Sequence, residues 1–306
     1  MNEIFQIKSI SQFHELLGLP SPEHPLISLI NEEGNQEKPE LDENLRDIKF
    51  YAEMYAIMYK DKINGSLGYG RSSYDFQEGT LIFSSPGQVF STAGQENYKD
   101  NTGWTLLFHP DLLQKSNLLK KMDSYSYFSY DVNEALHLSE KEERFISDLV
   151  QKIREEYSQN LDRHSQRLII SNLELLLNYC DRFFDRQFYT RSNLNKNVVT
   201  QFESLLKDYF QSNKINELGL PSVNYFGEKL QLSTNYLTDL LKKETGRSIK
   251  EHIDRRIVEN AKYILLNSNQ SIGEIAYSLG FEYPQSFSRL FKNKTGMSPL
   301  EYRKGN

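Results

Sequence analysis

A self-similarity at a period of about 50 residues near the C-terminal end restricts the fold of this chain more than any other feature. Leu240-Leu241-Lys242-Lys243-Glu244-Thr245-Gly246-Arg247-Ser248 returns as Leu290-Phe291-Lys292-Asn293-Lys294-Thr295-Gly296-Met297-Ser298, with five of nine positions identical. Upstream, Leu237 matches Phe287 and Thr238 matches Ser288. Further back the offset falls to 49, pairing Gly227 with Ala276, Leu230 with Leu279 and Leu232 with Phe281, so the second copy holds one extra residue at its turn. A fixed period means one supersecondary unit used more than once.

Each copy reads as helix, tight turn, helix. The first runs Val223–Leu230, a turn at Gln231-Leu232-Ser233, then Thr234–Lys243; the second runs Ile272–Leu279, a turn at Gly280-Phe281-Glu282, then Tyr283–Lys292. Gly227 and Ala276 are small where the two helices cross, and Gly280 suits a turn of positive φ. Gly246 and Gly296 end the second helices as C′ glycines, and Pro284 sits in a first helical turn, where its missing N–H is harmless. This is the helix-turn-helix pattern, whose second helix enters the major groove of DNA. Between the copies Ile253, Ile257, Ala261, Ile264 and Leu265 mark the buried face of a helix over Ile249–Leu266, 18 residues. At ~1.5 Å per residue that helix is a rod of about 27 Å. Successive major grooves on one side of DNA are ~34 Å apart, so a rod with a reader offset at each end can seat both.

Upstream the texture differs. Residues 1–46 read as an arm with loops, broken at Leu19-Pro20-Ser21-Pro22 and acidic from Asn31 to Asp47. From Ile48 to about Phe108, aromatic and β-branched runs (Phe50, Tyr51, Tyr55, Ile57, Tyr59; Thr80 to Phe83; Val89-Phe90) alternate with turn signals at Gly65, Gly68, Gly70, Glu78-Gly79 and Pro86-Gly87, as in a small β-barrel or sandwich. Ser139-Glu140-Lys141-Glu142 is a capping box opening a helix whose stripe is Phe145, Ile146, Leu149, Val150, Ile153 and Tyr157. A second helix over about Ser165–Phe184 is apolar over a wider arc than one partner helix would bury. Two explanations stand: packing on both the neighbouring helix and the sheet, or a homodimer interface that uses Leu168, Leu173, Leu176 and Cys180. The polar stretch Arg191–Asn197 reads as a loop. The resulting organisation is α+β: a regulatory and dimerisation domain at 1–190, a linker at 191–199, and an all-α double helix-turn-helix domain at 200–306.

Charge follows the same division. Residues 200–306 carry 15 Lys and Arg against 12 Asp and Glu, leaving 21 against 30 upstream, within a chain of net charge −6. An acidic body and a mildly basic end fit a sensor joined to a nucleic-acid reader. The N-terminal residues lack the basic-then-apolar pattern of a secretion signal, no run is long enough for a membrane span, and the single cysteine excludes an intramolecular disulfide. A cytoplasmic location is expected. The six histidines, His14, His24, His109, His137, His164 and His252, are scattered, and none falls among the strands expected between Ile48 and Ala93. No phosphate-binding glycine loop, dinucleotide fingerprint or nucleophile elbow occurs. No catalytic residue, metal or cofactor is expected; a cupin-type enzyme is the rival from another class.

Ile275-Ala276-Tyr277-Ser278-Leu279-Gly280-Phe281, Phe287-Ser288-Arg289-Leu290-Phe291-Lys292, Thr295-Gly296-Met297-Ser298-Pro299 and Tyr302-Arg303 closely resemble the signature of the AraC/XylS family of transcription regulators. The resemblance covers about 200–306. Residues 48–185 resemble, more weakly, the cupin-like barrel that binds effectors and dimerises in many members. It implies promoter binding, regulation of initiation (usually activation through RNA polymerase) and, in many members, a small-molecule effector. Control by a protein partner or by abundance alone is the alternative.

Helix geometry then selects the residues facing bases: Asn235, Thr238 and Asp239 in the first unit, Gln285, Ser288 and Arg289 in the second. Gln pairs with adenine and Arg with guanine, each discriminating by ~1–3 kcal/mol. Asp239 departs from the family, where a basic or neutral polar residue is common; it can accept from a cytosine amino group or be repelled by phosphate. Phosphate contacts are expected from Lys242, Lys243, Arg247, Lys292 and Lys294.

Overall fold

The computed structural model describes residues 4–31, 49–60, 68–69, 72–73, 79–91, 103–131, 134–160, 162–190, 192–212 and 214–305. The chain separates into two compact units, Met1–Tyr189 and Thr190–Asn306. The turns assigned to Gly65 and Gly70, and the acidic stretch 32–47, lie outside the described residues.

The strands of the first unit are β1 (Ile4–Ile7), β2 (Ile27–Asn31), β3 (Lys49–Ala52), β4 (Tyr55–Lys60), β5 (Gly68–Tyr69), β6 (Ser72–Ser73), β7 (Thr80–Ser84), β8 (Val89–Ser91), β9 (Gly103–Phe108) and β10 (Leu136–His137). Its helices are α1 (Ile10–Leu16), α2 (Asn117–Lys121), α3 (Glu140–Ser158) and α4 (Ser165–Thr190). The N-terminal arm expected to be loops holds β1, α1 and β2: β1 runs parallel to β3, and β2 pairs with β9 from Ile27↔Phe108 to Asn31↔Trp104. Ile7 and Ile10 are buried with Met54 and Leu107 in a cluster that fastens the arm to the sheet. Four- and five-residue strands interrupted by Pro20 and Pro22 carry too little periodicity to stand out in the sequence.

Among the described residues the sheets are not closed into the expected barrel. One has the order β1-β3-β8, a second β10-β7-β4-β9-β2, and β5 with β6 makes a separate hairpin. Helix side chains take up backbone groups of the end strands instead. Gln187 of α4 accepts from His137 N (2.8 Å) and donates to Ala135 O (3.1 Å), and Tyr157 OH of α3 accepts from Leu29 N (2.9 Å). A sheet whose edges are occupied in this way does not need closure to satisfy its backbone.

α3 opens on the expected capping box, Glu142 accepting from Ser139 N at 2.9 Å. α4 is six residues longer than the sequence stripe suggested. Its wide apolar arc serves two partners: Tyr179 packs on Phe145 of α3 (4.2 Å between rings), while Phe184 stacks on Tyr127 (5.2 Å) and tilts against Phe83 of β7 (5.9 Å). Leu173, Leu176 and Cys180 are fully buried inside the unit, which removes three of the four side chains proposed for a dimer surface. Burial also pushes the Cys180 thiol well above its ordinary pKa. Leu168 is 42% exposed, as is Leu175 one heptad further on.

The second unit is all helical: α5 (Ser192–Gln211), α6 (Lys214–Leu218), α7 (Val223–Leu230), α8 (Thr234–Thr245), α9 (Ile249–Asn267), α10 (Ile272–Ser278), α11 (Pro284–Thr295) and α12 (Pro299–Gly305). Residues 192–197, read from their polarity as a loop, are the first turns of α5. Asn195 there is buried, so the polarity that suggested a linker includes an interior contact. α9, 19 residues long, touches α8, α10, α11 and α12; its rise is about 28 Å.

Candidate nucleic-acid interface

Both two-helix units close in the same way. In the first, Gln231 takes the left-handed conformation (φ 57°), Leu232 N donates back to Gly227 O (3.0 Å), and Ser233 caps α8 by accepting from Tyr236 N (3.2 Å). In the second, Gly280 (φ 86°) fills the left-handed place and Phe281 N donates to Ala276 O (3.0 Å). The left-handed residues are 49 apart and the residues preceding α8 and α11, Ser233 and Tyr283, are 50 apart. The extra residue of the second copy is therefore spent after the left-handed position. Gly227 is required both by the turn and by the helix crossing: a Cβ would stand 2.8 Å from Leu232 O and 3.2 Å from Thr234 Cγ2 at the start of α8. Glutamine at the left-handed position of the first copy is unusual for a residue with a side chain and hid the equivalence with Gly280.

The symmetry continues past the second helices. Gly246 N donates to Lys242 O (2.9 Å) and Gly296 N to Lys292 O (2.8 Å), both glycines at positive φ. Thr245 Oγ1 donates to Leu241 O (2.7 Å), as Thr295 Oγ1 does to Phe291 O (2.8 Å). Ser248 N donates to Glu251 (2.8 Å) and Ser298 N to Glu301 (2.7 Å). These backbone donors hold both carboxyls below the usual glutamate range. The match Glu251 to Glu301 extends the repeat three residues beyond Ser248 and Ser298. The two helices start differently, on the Ser233 cap and on Pro284 after an uncapped Tyr283, but they end on the same local bonds and so present equivalent side chains on equivalent faces.

On α8, Tyr236, Leu237, Leu240 and Leu241 are buried, leaving Asn235 exposed and Thr238 and Asp239 half-buried. On α11, Phe287 and Phe291 are buried; Gln285 and Arg289 are exposed and Ser288 half-buried. Positions 235, 238 and 239 are the fifty-residue counterparts of 285, 288 and 289, so the six base-facing candidates form two corresponding sets. The pair Asp239 and Arg289 reverses charge at one equivalent place.

Lys242, Lys243, Arg247 and Lys292 are exposed. Lys294 is engaged within the protein, its Nζ 3.4 Å from Asp254 Oδ2 of α9. Phe202 of α5 meets Phe226 (4.9 Å) and His252 (5.3 Å), and His252 Nε2 shares a hydrogen bond with Thr245 Oγ1 (2.8 Å). Burial is the main cause of the lowered His252 pKa, which favours a neutral ring behind the first reading helix. Among the described residues, no group of three or more His, Cys, Asp or Glu side chains could hold a metal ion, and no helix is long and apolar enough to cross a membrane.

A duplicated two-helix module with matched turns, caps and polar outer faces, carried on one connecting helix, defines a helix-turn-helix domain. A family profile described as a helix-turn-helix domain matches residues 226–305. The chain is 43% identical over 82 residues to the Msm operon regulatory protein of Streptococcus mutans, covering 27% of this chain and 30% of that protein. It is 29% identical over 168 residues to the HTH-type transcriptional regulator YijO of Escherichia coli, covering 55% and 56%. It is 35% identical over 78 residues to the transcriptional activator RhaS of Escherichia fergusonii, covering 26% and 28%. The chain thus spans from about a quarter to a little over half the length of these relatives. Among solved structures, the C-terminal domain of AraT, a response regulator from Geobacillus stearothermophilus, is 27% identical with a TM-score of 0.32, over 36% of this chain and 85% of that one. The C-terminal unit carries an AraC-type helix-turn-helix domain.

Proposed function

We propose that this protein is a sequence-specific DNA-binding regulator of transcription, and not an enzyme, that reads a promoter with α8 and α11 in successive major grooves. The observation carrying this is the set of paired local bonds that ends the two reading helices alike, with α9 packed on both. Asn235, Thr238, Asp239, Gln285, Ser288 and Arg289 face bases; Lys242, Lys243, Arg247 and Lys292 grip phosphates. The similarity to named regulators supports regulation of initiation, with RNA polymerase as a partner, activation as the usual sign, and a cytoplasmic setting. The first unit, with its aromatic interior, is the half that senses a small-molecule effector and forms the homodimer.

Arg289→Ala tests the base assignment. It is expected to relax preference at one base pair by ~1–3 kcal/mol and to leave the others intact. Affinities for a series of single-base substitutions in a selected site measure this; a series identical to that of the parent overturns the assignment.

The dimer is assigned to the exposed stripe of α4 that begins at Leu168 and Leu175. Leu175→Glu would place an unpaired carboxylate between apolar side chains at a cost of at least ~2–3 kcal/mol, weakening the dimer by about two orders of magnitude. Sedimentation of the full chain reads it. A parent protein that stays monomeric at high micromolar concentration, or a variant that dimerises equally well, contradicts the assignment.

A further inference from the structure

Positions 244 and 294 are counterparts in the repeat, carry opposite charges, and fasten their helices to different neighbours. Asn195 Nδ2 of α5 donates to Glu244 Oε1 of α8 at 3.1 Å, whereas Lys294 of α11 pairs with Asp254 of α9. Each unit is thus backed by a long helix earlier in the chain: α5 packs on α7 and α8, and α9 packs on α10 and α11. A glutamate in the last turn of a helix faces the negative end of the helix dipole, and Glu244 follows directly on two lysines. Its place is explained by a partner outside its own helix. That partner is only 3% exposed, so breaking the bond leaves a buried amide without this acceptor, which is costly. Phe202, two turns further along α5, lies against Phe226 and His252, so the same helix also supports the frame around α8.

We propose that the Asn195–Glu244 bond is the joint through which α5 positions the first reading helix. Asn195 and Glu244 are positioning residues: they touch neither base nor phosphate, but set where Asn235, Thr238 and Asp239 lie. The half-site read by α8 then answers to α5, the first helix of the second unit and its covalent link to the first. The half-site read by α11 answers to α9. The inference rests on the DNA-reading role proposed above.

The test uses the full chain and a duplex selected by the parent protein from a random library, together with duplexes in which one or the other half-site is scrambled. Asn195→Ala is expected to bind the intact site about 10-fold more weakly. Scrambling the α8 half-site should then cost it little, while scrambling the α11 half-site should cost as much as in the parent. Asp254→Asn should show the mirror pattern. Asn195→Asp alone sets two carboxylates face to face and should bind as weakly as Asn195→Ala. Combined with Glu244→Gln it exchanges donor and acceptor, and affinity should return to within about 3-fold of the parent. The half-site comparison separates positioning from loss of folding, because an unfolded unit loses both half-sites together, and the double variant shows that the bond itself is what matters. The joint is refuted by Asn195→Ala binding like the parent, by equal losses at both half-sites, or by a double variant no better than Asn195→Asp. A parent protein that selects no sequence refutes the DNA-reading role itself, a different outcome from any of these.

Discussion

Phe287→Ala is expected to destabilise the C-terminal unit by ~3–5 kcal/mol, the usual cost of removing a buried aromatic ring and leaving its cavity. Phe287 is fully buried on the inner face of α11, with Phe281 of the turn at 5.6 Å and Phe291 at 5.8 Å; Phe291 in turn meets Tyr302 of α12 at 5.4 Å. Phe287 therefore joins the turn to the reading helix, and through Phe291 the same row of rings reaches the closing helix. Backbone hydrogen bonds fix the turn on one side and α9 lies on another, so little can collapse into the space. Against a domain stability of about 5–15 kcal/mol the loss is a large fraction of the total, and the melting temperature should fall by on the order of 10–20 °C. Circular dichroism of the full chain, which contains both units, should show the early melting as a separate transition. Arg289→Ala, two positions away on the exposed face, should leave that transition in place while altering base preference. A Phe287→Ala protein melting with its parent would mean that the inner face of α11 is not what holds the second copy together.

The C-terminal unit was legible because its determinants are local. Leu237, Phe287, Gly246 and Gly296 recur at a fixed offset, and each recurrence encodes a cap, a turn or a buried face that depends only on nearby residues. The same locality explains why the capping box at Ser139 to Glu142 could be located from sequence. What stayed hidden depends on distant partners. Gln231 adopts a left-handed conformation that its residue type does not announce. Asn195 looks like linker polarity until Glu244, 49 residues away, is beside it. Leu173, Leu176 and Cys180 belong to a broad apolar arc, and only the positions of Phe83, Tyr127 and Phe145 show that their side of the helix is covered within the unit. The β-rich half was least legible: short strands such as β1 and β2 draw their partners from β3 and β9, tens of residues on. Gln187 and Tyr157, which occupy backbone groups of the end strands, are single polar side chains on helices otherwise read for their apolar stripes. Closure into a barrel was an expectation of strand count and turn spacing, neither of which records what a helix side chain does at an edge.

Raising salt from 50 to 200 mM is expected to weaken specific DNA binding by about two orders of magnitude, from a slope near −0.9 per neutralised phosphate and roughly four side-chain contacts. The four are Lys242, Lys243, Arg247 and Lys292, exposed near the ends of the two reading helices. Lys294 is left out because Asp254 already holds it; a cation paired within the protein gains little by exchanging one anion for another. Lys242→Gln with Lys292→Gln should lower the slope by about two units, one from each half-site, whereas Lys294→Gln should lower it by much less. Residues 200–306 carry only three more basic than acidic residues, 15 against 12, so diffuse attraction adds little to the slope, and the comparison of single positions separates it from cations placed against the backbone. Fluorescence anisotropy of a labelled duplex across that salt range reads the slope for each variant. A flat dependence in the parent, or a Lys294→Gln slope reduced as much as that of the double variant, would remove these lysines as the phosphate grip and with them the way the two helices are held in register on the duplex.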